Sequence, residues 1–314
     1  MLLARSLNGL ASMGSHPWHV KADFQTFNPD GKPKENGTFE EWWAGTDMYK
    51  ISYTGKSFNH VKYRNGDKVA VTGDLGGPSF QESMAEPYLM HPLPGEKAIE
   101  DSYYAQVKQK MGPVTLECIR PTAKSIPGNP ANQPGGLYQL PVPTTCFAPG
   151  TPIIRLEISG HLLTIFNDVA QAGGHYFARD ISVENVNQPI VNIKITELEF
   201  PPKIEDAEVL APASAVASPV SRVKASVMAG NRIGGKDPTY PWIAKSQRVE
   251  GMVMLAAVIT KAGDIGNLQL ISGPKALRQS ALDAVKTWKY KPYTLNGQPV
   301  TVETTINVIY TMGG

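Results

Sequence analysis

Apolar and polar positions alternate with period two over much of the first 200 residues. Trp18, Val20, Ala22 and Phe24 interleave with His19, Lys21, Asp23 and Gln25, so the two sets face opposite sides of a strand. The turn-rich Asn28-Pro29-Asp30-Gly31 leads to Phe39-Glu40-Glu41-Trp42-Trp43. Tyr49, Ile51 and Tyr53 alternate with Lys50, Ser52 and Thr54, and Val61 and Tyr63 run through the Asn65-Gly66 turn to Val69 and Val71. This spacing predicts consecutive hairpins. Strands are expected again from Val114, then over 153–157, 162–166, 176–183 and 190–200. Helices are expected over 79–90 and 95–111. Another is expected at the N-terminus, with Leu3, Leu7 and Leu10 on one side and Met13 near it.

Toward the C-terminus the period keeps changing. Residues 252–260 are apolar on both parities, which suits a strand buried on both sides or flanked by two others. Lys261-Ala262-Gly263-Asp264 is turn chemistry, and Asn267 to Leu270 reads as the returning arm of a hairpin. Leu277, Ala281, Ala284, Val285 and Trp288 recur at helical steps, which places Trp288 on the core stripe. Val300, Val302, Thr304, Ile306, Val308 and Tyr310 then point one way, and Thr301, Glu303, Thr305 and Asn307 the other. The doubly apolar strand needs two neighbours and is expected at the centre of its sheet. The strand over 300–310 tolerates an edge.

These landmarks stand in a recognisable order: Tyr240-Pro241, Val249-Glu250-Gly251, Gly263-Asp264-Ile265, Ala284 through Trp288, Tyr290 and Pro292, then Asn296-Gly297. They resemble the C-terminal domain of TonB-family proteins. The resemblance covers about residues 224–314 and implies a three-stranded antiparallel sheet with two helices. In it Tyr240, Pro241, Gly251, Gly263, Trp288, Tyr290, Pro292, Asn296 and Gly297 serve the fold. The implied function is that of a non-enzymatic adaptor related to energy transducers, in transport across the outer membrane of the bacterial cell envelope. Strand addition would capture an extended segment of an outer-membrane or periplasmic protein. The partner-binding edge strand is then Val300, Thr301, Val302, Glu303, Thr304, Thr305, Ile306, Asn307, Val308, Ile309 and Tyr310.

The earlier residues carry a looser likeness. An N-terminal helix, antiparallel strands, central helices and further strands are similar in order to the lipoprotein-carrier fold of LolA and LolB. Gly37 to Trp43, Asp47 to Tyr53 and Phe200-Pro201-Pro202 mark the likeness. It implies a curved antiparallel half-barrel with lid helices over residues 1–203, hence an α+β protein. It also brings a second functional reading, a periplasmic carrier holding a lipid or acyl chain in the half-barrel. A filled interior favours the adaptor, and a continuous apolar cavity favours the carrier.

Between the two regions, residues 204–223 are rich in Ala, Ser and Pro and read as a linker. Fully extended, about 20 residues reach roughly 60 Å, enough to tether two domains but short of the long spacer of the family's archetype. The chain has 314 residues and 41% apolar content, which permits packed cores, and no stretch of 18 or more apolar residues. A net charge of +2 without clustering argues against nucleic acid as a partner. The resemblance implies the periplasm, although Met1 to Leu7 lack the apolar core of a signal peptide. Cys118 and Cys146 sit in β-rich text. In a reducing compartment they read as small buried side chains, and in the periplasm a disulfide is expected. No cofactor is implied. The six histidines, His16, His19, His60, His91, His161 and His175, are scattered, and no metal or nucleophile motif appears. Adjacent strand residues face opposite ways, so Glu40 and Glu41 are expected one exposed and one buried, not as paired acids.

Overall fold

The structure is a computed structural model that describes residues 1–14, 16–75, 77–90, 92–94, 96–101, 103–122, 144–159, 162–185, 188–218, 220–223, 225–295 and 297–312. His91, His161 and Asn296 therefore lie outside the described residues.

The alternating text folds as strands β1 (Trp18–Phe27), β2 (Pro33–Gly45), β3 (Met48–Gly55), β4 (Asn59–Asn65) and β5 (Lys68–Gly73), each antiparallel to the next. A second meander follows: β6 (Tyr104–Met111), β7 (Val114–Pro121), β8 (Thr144–Phe147), β9 (Ile154–Ser159), β10 (Leu162–Ala172), β11 (His175–Asn185) and β12 (Gln188–Glu199). β12 pairs with β1 and joins the two meanders, and β13 (Val216–Ala217) adds to the outer edge of β5. The result is one curved, open, 13-stranded antiparallel sheet.

Short helices α1 (Leu2–Arg5), α2 (Ala85–Met90) and α3 (Glu96–Glu100) accompany this sheet. Ala4, Ala85, Leu89 and Met90 join Trp18, Val20, Phe39, Ile51 and Phe166 in one core. The N-terminal helix is shorter than its pattern predicts: α1 ends at Arg5, and Leu10–Met13 form a separate 3-10 turn after Gly9, whose φ is 85°. Leu3 is exposed and Ala4 and Leu10 are buried. Of the helix expected over 79–90, Glu82–Met84 form a 3-10 turn and Ala85–Met90 form α2; ahead of them Ser79 N–H donates to Glu82 Oε2 at 2.5 Å and Glu82 N–H to Ser79 Oγ at 3.5 Å. The expected helix over 95–111 is mostly wrong. Only Glu96–Glu100 is helical, and Tyr104–Met111 is β6, paired with β7. Gly112, with φ 58°, and Pro113 make the tight turn between them, and this turn outweighs the helical pattern.

The last third of the chain contains α4 (Asp206–Val209), β14 (Val220–Arg222), α5 (Ala225–Ala229), β15 (Arg232–Gly234), α6 (Trp242–Ser246), β16 (Gly251–Ile259), β17 (Ile265–Ser272), α7 (Lys275–Val285), β18 (Lys289–Tyr290), β19 (Thr294–Leu295), β20 (Gln298–Pro299) and β21 (Thr301–Tyr310). Its main sheet runs β14-β21-β16-β17. β16 is central, between two antiparallel neighbours, and β14 lies parallel to β21. The hairpin turn after β16 requires glycine. Gly263 has φ 87°, and a Cβ there would meet the Tyr290 carbonyl oxygen at 1.9 Å.

The two faces of β16 have different partners. Val253, Leu255, Ala257 and Ile259 pack with Leu277, Ala281 and Val285 of α7. Met252 and Met254, with Ile271 of β17, belong instead to the core of the large sheet. Polar contacts pin the same junction. Arg278 donates to Asp30 Oδ1 at 2.8 Å and to the Pro29 carbonyl at 2.6 Å, and Asn185 Nδ2 donates to Ser272 Oγ at 2.8 Å.

Cys118 and Cys146 are directly opposite in β7 and β8 and are bridged, with Cα atoms 3.9 Å apart. The bridge closes a loop with a sequence separation of 28. Replacing both cysteines by alanine should lower stability by roughly 3–4 kcal/mol on the chain-entropy model, read as a denaturant midpoint shift at unchanged slope. Equal midpoints for the double variant and the oxidised parent would show that the bridge constrains little.

Candidate partner-binding edge

β21 buries Val302, Thr304, Ile306, Val308 and Tyr310 toward α7 and leaves Thr301, Glu303, Thr305, Asn307 and Ile309 on the other face. Its pairing with β16 spans Val302↔Ile259 to Tyr310↔Gly251. The opposite edge is partly taken. Val220, Ser221 and Arg222 pair with Thr301, Val302 and Glu303, and the Val223 N–H donates to the Glu303 carbonyl at 2.9 Å. This corrects the expectation of a simple open edge: β21 is flanked from within the chain over its first three residues. Main-chain groups alternate along a strand, so the N–H groups of Thr305, Asn307 and Ile309 share the outward side with Glu303. α5 lies beside β21 and buries Met228 in the helix-side core.

The expected fold-serving residues are distributed around this strand. Tyr240 Oη donates to the Val249 carbonyl at 2.7 Å, and its ring meets that of Tyr310 edge-on at 5.5 Å. Tyr310 Oη donates to Ser280 Oγ at 3.0 Å, which ties the end of β21 to α7. Pro241 caps α6, Gly251 opens β16 with φ 144°, and Gly297, with φ 78°, lies between β19 and β20. Tyr290 is buried, which pushes its hydroxyl up to about 12, and Pro292 follows β18. Trp288 departs from expectation. It lies past the end of α7 and is half-buried, with Nε1 donating to the Lys236 carbonyl at 2.8 Å and the Arg232 guanidinium 4.0 Å from its ring centre. It still packs against the helix-side core as expected, but partly buried and from beyond the end of the helix.

The core face of the large sheet holds polar chemistry of its own. Glu41 is 2% exposed, and its Oε2 has no hydrogen-bond partner. Burial foremost, then the neighbouring Glu86, holds its carboxyl well above the usual range, against the pull of Lys62. Lys62 and Glu86 are 3.3 Å apart. Glu40, on the opposite face, accepts from His19 Nε2 at 2.9 Å, and the His19 ring stacks on Trp42 at 3.7 Å. Trp43 turns inward and stacks between Trp18 and Tyr49. Sequence reading missed the group formed by Tyr88, Thr164 and Glu157, because its members come from α2, β10 and β9 with no local signal. Burial pushes Glu157 up to about 7 and Tyr88 to about 12.

The remaining described histidines sit apart. His16 contacts the Met13 carbonyl, His60 the Asp74 carbonyl, and His175 Ser12 Oγ. Among the described residues no three His, Cys, Asp or Glu side chains converge to hold a metal, and no helix is long and apolar enough to cross a membrane. Large apolar side chains, Trp18, Phe39, Phe166, Ile51 and Ile181 among them, fill the centre of the core face. Cavities open at its margins. One of ≈ 690 Å³ lies by Leu3, Val107, Ile119 and Phe147. Another of ≈ 780 Å³ lies between β3–β5 and the segment 217–223.

Residues 236–312 match the family described as Gram-negative bacterial TonB protein C-terminal. The chain is 45% identical over 65 residues to the protein TonB of Vibrio cholerae serotype O1, covering 20% of this chain and 27% of that protein. It is 29% identical over 113 residues to the protein TonB of Salmonella typhimurium, covering 35% and 45%. The chain thus spans less than half the length of these curated relatives. Among solved structures, a LolA superfamily protein from Nitrosomonas europaea aligns with 66% of this chain and 94% of its own at 10% identity and a TM-score of 0.42. An outer membrane lipoprotein-sorting protein domain from Vibrio parahaemolyticus aligns with 62% and 90% at 10% identity and a TM-score of 0.36.

Proposed function

We propose that this chain is a non-enzymatic adaptor of the bacterial cell envelope, related to the TonB energy transducers and acting on the periplasmic side. In this reading residues 1–203 and 224–314 are its two domains. The second captures an extended segment of an outer-membrane or periplasmic protein by strand addition to β21, in transport across the outer membrane. The observation that carries the reading is that the matched stretch, 236–312, includes a sheet in which, among the described residues, the strand outside β21 pairs with three of its residues and α5 follows beside it. Beyond Glu303 its outward main-chain groups suit an incoming strand, with side chains setting the register. The small net charge of +2 speaks against nucleic acid.

The test replaces one outward donor. Asn307→Pro removes an N–H that β16 does not need, so the fold should persist. Titration with synthetic peptides from periplasm-facing segments of outer-membrane proteins should show capture by the parent and loss of at least tenfold in affinity for Asn307→Pro. Glu303→Lys should change affinity much less. If no extended peptide binds, or the proline variant binds as well as the parent, the adaptor reading fails. The second reading, a lipid carrier, then rests on the ≈ 690 Å³ cavity beside Leu3 and Phe147, and binding of a fluorescent fatty acid there would support it.

A further inference from the structure

The segment that reads as a free linker is bound at three places. Val209 of α4 is buried, α4 lies against β2 and β3, and Glu208 reaches Lys50 at 3.9 Å. Val216 and Ala217 then pair with Val71 and Ala70 on the outer edge of β5. Two residues later, Val220–Arg222 pair with the edge of β21, and α5 follows directly alongside. One short stretch therefore covers an edge of each sheet.

We propose that β14 with Val223, followed by α5, is an internal competitor for the β21 edge, holding the place of a partner's strand until a longer one displaces it. The proposal rests on the strand-addition reading of β21. Three paired residues set against a strand of ten make the competitor the weaker of two possible neighbours. Its strength comes from tethering. A segment held close by β13 acts at an effective concentration in the ~mM range, so a free peptide of similar affinity cannot compete at ordinary concentrations. If the edge is open only a fraction of the time, the apparent Kd rises by the inverse of that fraction. A partner with more main-chain bonds to offer, over Thr305, Asn307 and Ile309 as well, can win. Covering an exposed edge also guards against aggregation, and a purely protective role predicts no gain in capture when the cover is removed.

The experiment uses the full chain. In one variant residues 220–223 become Gly-Ser-Gly-Ser. In a second, Val223→Pro removes the N–H that donates to the Glu303 carbonyl, along with the Val223 side chain that packs on the helix-side core. The probe is a synthetic peptide with the sequence of residues 217–224. The Gly-Ser variant should bind it at least tenfold more tightly than the parent, and Val223→Pro should fall between. The Glu303 amide should exchange faster with solvent in both variants and regain protection when the peptide is added to the Gly-Ser variant. Equal affinities for parent and variants, or unchanged exchange at Glu303, would overturn the proposal. Peptides from outer-membrane proteins separate the two readings. If the 217–224 peptide rebinds and they do not, the internal pairing stands and the adaptor reading falls. If they bind parent and variants equally, the competitor falls and the adaptor reading stands.

Discussion

Val253→Asp should unfold the C-terminal sheet, whereas Met254→Asp, one residue on, should undock that sheet and leave it folded. Both side chains are buried in β16, at 0% and 2% exposure. Val253 faces α7, among Leu277, Ala281 and Val285. A carboxylate there has no partner, and an unpaired buried charge costs roughly 3–5 kcal/mol, a large share of a small domain's stability. Met254 faces the other way, into the core shared with the large sheet. A carboxylate at that position regains water if the two units part, and that outweighs an ion pair such as Arg278–Asp30, whose Asp30 side is largely exposed. Scattering from Met254→Asp should show a larger radius of gyration, with a cooperative melt retained for the C-terminal sheet. Scattering from Val253→Asp should show a lengthened, unfolded C-terminal segment. If both variants unfold alike, or Met254→Asp keeps the parent's radius, the docked arrangement is wrong.

That pair also shows what the sequence can and cannot say. Apolar residues on both parities of 252–260 announce two buried faces, but not that the second face belongs to another part of the chain. The hairpins around Asn65-Gly66 and Gly263 are legible because glycine conformations fix their turns. Residues 104–111 are strand against the helical expectation because Tyr104, Val107 and Met111 show no period-two alternation, and only pairing with β7 decides. The candidate edge was legible as a strand with one wet face. Its neighbour β14 was not, since three residues in an Ala-, Ser- and Pro-rich stretch carry no periodicity. The acid groups inside the large sheet were half legible. Alternation separates Glu40 from Glu41, but that Glu41 is the buried one, with Lys62 and Glu86 reaching it from β4 and α2, comes only from the fold.

Stability should fall as pH rises from about 4.5 to above 7, and Glu157→Gln should remove much of that slope. Burial raises the Glu157 carboxyl from 4.5 to about 7, so between those values the folded chain holds a proton that the unfolded chain has released. Stability then declines with pH across this window, is fully present below it, and levels off above it as far as this residue is concerned. The difference of about 2.5 pH units corresponds to a loss on the order of 3 kcal/mol, at about 1.4 kcal/mol per unit. Glu41 acts in the same direction, with its neighbour Glu86 adding to the effect of burial and Lys62 opposing it. Glutamine matches the protonated carboxyl in shape and cannot ionise. At pH 8, Glu157→Gln should therefore be more stable than the parent in urea titrations, while the two should agree near pH 4.5. Adding Glu41→Gln should flatten the profile further, because the two carboxyls stand in different neighbourhoods, one by Glu86 and Lys62, the other by Tyr88. A parent profile that is flat or rises between pH 5 and 8, or a Glu157→Gln variant no more stable than the parent at pH 8, would mean that water reaches this carboxyl and that the β9–α2 side of the core is open.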